Sequence, residues 1–109
     1  METPIKRALT KLINSDVIYD VYPMVDHIDV KNISLVTGTN KTAYALTIDI
    51  IVNDSLMTKE NMFDLDFDPH WLVDKHISDL SKYLSIDIRN IFFTVHNLEG
   101  DLIYEWFPF

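Results

Sequence analysis

The chain of 109 residues has no cysteine, which removes disulfides, thiol catalysis and cysteine-ligated zinc together. Packing alone must hold the fold. Glycine occurs twice and proline four times, too few for a flexible linker or a low-complexity segment, and no internal stretch reads as a domain boundary. Long apolar runs are also missing. No stretch approaches membrane-spanning length, and the first residues, with Lys6, Arg7 and Lys11 set in an amphipathic pattern, lack the apolar run of a signal peptide. The expected setting is cytoplasmic, or the host cytoplasm or virion if the chain is viral. Basic side chains are scarce too: nine stand against seventeen acidic ones, a net charge of −8. Such a balance opposes binding to nucleic acid or anionic lipid, both of which need cationic contacts. Direct nucleic-acid and membrane partners are therefore not expected.

What is present is 48% hydrophobic and 12% aromatic residues, ample for one two-layer core over residues 1–109. The charge is unevenly placed. Through Leu12 there are three basic residues and one acid, leaving six basic and sixteen acidic from Ile13 onward, a net of −10. A positive opening segment is joined to a negative body.

Thr3 and Pro4 form a cap-then-proline opening, and Ile5, Ala8, Leu9, Leu12 and Ile13 follow at helical spacing, so residues 4–14 are expected to be a helix. Val17 to Val21 suits a short extended segment ending near Pro23, and Val25 to Val36 a second one with imperfect alternation. The turn-forming Thr37-Gly38-Thr39-Asn40 precedes the clearest strand, in which Tyr44, Leu46, Ile48, Ile50 and Val52 alternate with more polar residues. Asn53 to Phe67 has no sustained period and is long for a simple connection. A second helix is expected from Asp68, a natural N-cap, through Pro69 at its first position, with Leu72, Val73, His76, Ile77, Leu80, Tyr83 and Leu84 on one side. Ile91, Phe93 and Val95 then alternate with Phe92, Thr94 and His96, and Leu102, Tyr104 and Trp106 with Ile103, Glu105 and Phe107. A two-residue turn at Glu99-Gly100 would set Val95 opposite Tyr104 and Phe93 opposite Trp106, all four in the core, with Phe92, His96, Ile103 and Phe107 on the other face. The order helix, hairpin, helix, hairpin predicts two helices on one face of an antiparallel sheet of four or five strands.

The one cluster with ligand chemistry is Asp64, Asp66, Asp68, His70, Asp74 and His76. Carboxylates followed by histidines suit a hard or borderline divalent ion, with Asp66, His70 and Asp74 the candidate ligands. As a calcium loop it fails, because Pro69 stands where the required glycine belongs and Lys75 where the terminal glutamate belongs. The competing structural account assigns Asp68 to capping and leaves His70 and Asp74 exposed, so no metal, cofactor or catalytic residue is assigned. His76 falls among apolar positions and suits the core edge, while His27 and His96 stand isolated in strands. No glycine-rich phosphate loop or nucleophile elbow occurs, and the expectation is a non-enzyme.

The element order, with a segment ending Val21-Tyr22-Pro23-Met24 leading from a short helix into a sheet, then a second helix and a final hairpin, resembles that of bacteriophage tail-completion and tail-terminator proteins. The resemblance implies a non-enzymatic assembly protein that works as a ring. From the residues themselves, Lys6, Arg7 and Lys11 are expected to meet an acidic partner, and Asp64 and Asp66 to supply one in another copy, with Phe107 and Phe109 as apolar contacts. The competing readings are an acidic mimic of nucleic acid that inhibits a host or defence protein, and a divalent-metal enzyme using Asp64–His76.

Overall fold

A computed structural model of the chain describes Arg7, Thr10, Lys11 and residues 22–36, 43–77 and 87–107. Four strands form one sheet in the order β1 (Val25–Val36), β2 (Ala43–Val52), β3 (Asp87–Asn97) and β4 (Leu102–Trp106). The outer pairs are antiparallel, but the central pair, β2 with β3, is parallel. The sheet is therefore mixed. Between these two strands lie the turns of residues 53–67 and one helical stretch, α1 (Pro69–Trp71), which continues as a π-helix over Leu72–Ile77.

This overturns the expected pair of helices on an antiparallel sheet. A strand returning parallel to its predecessor needs a crossover long enough to carry the chain back to the starting end, and the segment after Val52 supplies it. Within residues 22–36, 43–77 and 87–107, α1 with its π-helical continuation is the one helical element. Arg7, Thr10 and Lys11 have helical backbone, but the rest of 4–14, including Lys6, lies outside the described residues. So do the expected segment Val17 to Val21, the turn at residues 37–40, Leu80, Tyr83, Leu84 and Phe109.

Strand alternation decides which residues are buried. On β2, Leu46, Ile48, Ile50 and Val52 are all fully buried, and on β3 Phe93 and Val95 join them. The imperfect alternation of β1 has a structural cause: its pairing with β2 shifts between Val25 and His27 and again between Val30 and Asn32. Each irregularity adds a residue to one side of the ladder and resets which side chains face the core. Ile28, Val30 and Ile33 all remain buried as a result.

The final hairpin keeps the expected pairs, Phe93 with Trp106 and Val95 with Tyr104, by a different route. Its loop is three residues long rather than two, closed by Asn97 N–H donating to the Asp101 carbonyl at 3.1 Å and by Gly100 N–H donating to the Asn97 carbonyl at 3.1 Å. Gly100 takes φ +90, a value that glycine reaches without steric cost. The extra loop residue offsets the pairing by one, and a bulge between Val95 and His96 restores it. Ile103, expected on the outer face, is turned into the core by that bulge. Trp106, expected inside, keeps a substantial part of its surface in solvent.

The long connection is ordered through its own side chains. Thr58 and Asn61 cap each other, Asn61 Oδ1 accepting from Thr58 N–H at 2.7 Å and Thr58 Oγ1 from Asn61 N–H at 3.3 Å. Met57, Met62 and Phe67 leave this segment for the core, and Phe67 meets the Tyr22 ring edge-on at 6.0 Å between centroids. The N-cap is as expected: Asp68 Oδ1 accepts from the backbone N–H of His70 at 3.0 Å and of Trp71 at 3.3 Å. Leu72 and Val73 are buried while Trp71, Asp74 and Lys75 are exposed, with Lys75 Nζ 5.3 Å from the Trp71 ring centroid.

Candidate functional site

The acidic cluster that suggested ligand chemistry is taken apart by the fold. Asp68 is committed to the helix cap, Asp74 is exposed on the π-helical segment, and His70 donates or accepts at Tyr104, its Nε2 lying 2.7 Å from the phenol oxygen. Three aromatic rings surround that imidazole, Phe93 at 5.2 Å, Tyr104 at 5.6 Å and Trp106 at 4.8 Å between centroids, each at a steep angle. His70 thus joins the helix start to the final hairpin through ring-edge contacts and one hydrogen bond. Among the described residues no group of three or more His, Asp or Glu side chains is placed to hold a metal ion. The side chain of His76 lies outside the described ones.

Asp64 and Asp66 have a different setting. Phe63, Asp64, Leu65 and Asp66 are four consecutive exposed residues, Phe63 at 57% and Leu65 at 38%. They project between two buried anchors, Met62 and Phe67, whose backbones are joined by Phe67 N–H donating to the Met62 carbonyl at 2.9 Å. Leu65 N–H donates to the Asn61 carbonyl at 3.1 Å and Asp66 N–H to that of Phe63 at 3.0 Å. Asp66 closes the tip at φ +57, a left-handed conformation that aspartate tolerates better than most residues. The result is a pre-shaped projection that presents two carboxylates and two apolar side chains. Arg7 and Lys11 are exposed as well.

Phe107, half in solvent, lies over Phe92 with ring centroids 6.2 Å apart and planes 22° from parallel. Two aromatic rings of the outer face thus cover each other within the chain.

A polar group that the sequence did not disclose lies on the second face of the sheet. Registration across the strands sets Asp29, Asp49, Thr94 and Glu105 in one row, and His27, Ile51, His96 and Leu102 in the next. Asp49 is 7% exposed, and its Oδ1 accepts from both Thr94 Oγ1 at 2.9 Å and His96 Nδ1 at 2.6 Å. Asp29, opposite it, has His27 Nε2 at 3.5 Å and Lys31 Nζ at 3.8 Å. Facing carboxylates repel, and each is relieved by donors of its own. His27 and His96 are thus not isolated: His27 Nδ1 also lies 2.7 Å from Asp26 Oδ2. The available signal was Asp49 itself, a single acid in an otherwise uncharged strand. Its partners became readable only with the parallel register.

A carboxylate holding Nδ1–H of an imidazole leaves Nε2 as a proton acceptor, which is the orientation a general base requires. A cleft of about 410 Å³ is lined by Ser55, residues 57–60, Asn97 and residues 101–103, and not by His96. Elsewhere, burial pushes the Tyr22 phenol above its ordinary value, and the Asp68 carboxylate pushes it in the same direction. No helix among the described residues is long and apolar enough to cross a membrane. In comparison with known proteins, the chain matches no family model and no curated sequence.

Proposed function

We propose that the chain is a non-enzymatic acidic interaction and assembly protein that joins copies of itself head to tail. The cations Arg7 and Lys11 of one subunit meet Asp64 and Asp66 of the next, with Phe63 and Leu65 supplying apolar area between them. One observation carries this reading: the tip Phe63–Asp66 is exposed at every residue yet anchored on both sides in the core. Holding two apolar side chains in water on an ordered turn is unfavourable unless something covers them, and order before binding reduces the entropy lost on association. Complementary patches let bodies of like net charge associate. A ring or stack built this way is the kind of object that phage tail-completion proteins form, and a structural or assembly role in a virus is consistent with it. The inhibitor reading has less support, because Asp49 is withdrawn from the surface and committed to His96 and Thr94.

Solution mass measured by light scattering at two protein concentrations across a salt series is the test. An assembly is expected at low salt that dissociates as salt rises. Asp64→Lys with Asp66→Asn should dissociate it, the asparagine keeping the left-handed turn at 66. Adding Arg7→Glu to that pair should partly restore it. A monomer under every condition would remove the proposal.

A further inference from the structure

A separate surface lies at the end of the sheet where β3 turns into β4. The 410 Å³ cleft there has one wall from Ser55 and residues 57–60 and the other from Asn97 and residues 101–103. Leu102 lines the cleft, and two further leucines, Leu56 between lining residues Ser55 and Met57 and Leu98 after Asn97, are adjacent in sequence to its lining. They are exposed by 53%, 78% and 57%, which makes this end rich in large apolar side chains left in water.

Neither wall is a loose loop. Leu56 is held by its N–H donating to Asp54 Oδ1 at 2.9 Å, and its carbonyl accepts from Asn61 Nδ2 at 2.9 Å. Opposite, Asn97 Oδ1 accepts from Asp101 N–H at 2.9 Å, and Asn97 Nδ2 donates to Asp101 Oδ2 at 3.3 Å. Charge in the lining is unbalanced: Glu60 and Asp101 stand against Lys59, all three exposed, and Glu99 is exposed in the turn between Asn97 and Asp101.

We propose that this cleft is a docking site for a segment of another protein that carries an apolar side chain flanked by lysine or arginine. The apolar side chain enters beside Leu102 and Met57, and the flanking cations meet Glu60, Glu99 and Asp101. The acidic rim selects against segments with acidic flanks, and the two hydrogen-bonded turns keep the cleft open before binding. This surface is distinct from the tip at Phe63–Asp66 and does not depend on self-assembly.

The test is two-dimensional amide NMR of the full chain, titrated with the peptide acetyl-Lys-Leu-Lys-amide and with acetyl-Glu-Leu-Glu-amide as control. Saturable shifts confined to residues 55–60 and 97–103 are expected with the first and not with the second. Leu102→Ser should weaken binding about tenfold, the effect of losing one buried apolar side chain from a small contact. Glu60→Lys should weaken it as well, and Lys59→Ala should strengthen it, with unchanged spectra elsewhere reporting an intact fold. Equal shifts with both peptides, shifts centred on Asp64 and Asp66, or indifference to Leu102→Ser would overturn the proposal. So would self-association that Leu102→Ser abolishes, because the occupant would then be a second copy.

Discussion

Ile48 and Asp49 are neighbours on β2 and face opposite sides of the same sheet. Ile48 is wholly buried among other hydrocarbon side chains, whereas Asp49 is nearly as buried but engaged by Thr94 and His96. The first side needs only apolar volume of about the right shape, because the hydrophobic effect has no direction. The second needs a particular register, since a hydrogen bond to a buried carboxylate is lost when its donor moves by one residue. One strand therefore carries two kinds of stabilisation, tolerant on one face and exacting on the other.

Substitution on either side separates the two. Ile48→Ala should cost about 2–5 kcal/mol, the transfer term plus the cavity left behind, measured by denaturant unfolding, whereas Ile48→Val should cost about 0.5–1.5 kcal/mol. That graded response is the mark of the tolerant face. Asp49→Ala should cost about 1–3 kcal/mol, since two donors lose their acceptor together. The response should not be graded: Asp49→Leu, although apolar and larger than alanine, should recover little of the loss. A double-mutant cycle with His96→Ala should show coupling of about 0.5–3 kcal/mol, and strict additivity would mean that the contact contributes nothing. Asp68→Ala, which affects the helix start and not the sheet, should cost about 1 kcal/mol through loss of the cap.

The smallest effect concerns pH. Because burial raises the Tyr22 pKa above 10.0, the native state holds that proton more tightly than the unfolded chain does. Its contribution is complete below pH 10.0 and is lost as pH rises through the native value. Tyr22→Phe should therefore flatten the alkaline fall in stability relative to the parent chain. Parallel alkaline profiles for the two chains would show that another group sets the decline.

Much of the local structure was legible because it follows from short-range chemistry. The apolar positions of β2, the alternation in β3, the Asp68 cap and the cross-strand pairs of the final hairpin each rest on residues close in sequence or on a period of two. The hairpin shows where that legibility ends. Its pairs were foreseen, but the three-residue loop and the compensating bulge were not, and with the bulge went the placement of Ile103. The Asp-rich stretch before Trp71 drew attention as a unit because its members are close in sequence. In the folded chain Asp68 caps, His70 meets Tyr104, and Asp64 and Asp66 sit on the projecting tip.

Periodicity and end signals depend on the chain's own geometry, so the sequence by itself determined the strands, the cap and the apolar face of β2. It also determined the charge imbalance, which is a matter of composition. Only the tertiary structure decided that β2 and β3 run parallel, because direction depends on how the crossover returns and leaves no periodic trace in either strand. Only that pairing brings His96 and Thr94 to Asp49. Likewise, only the burial of Met62 and Phe67 decided that the residues between them stand out in water as an ordered projection.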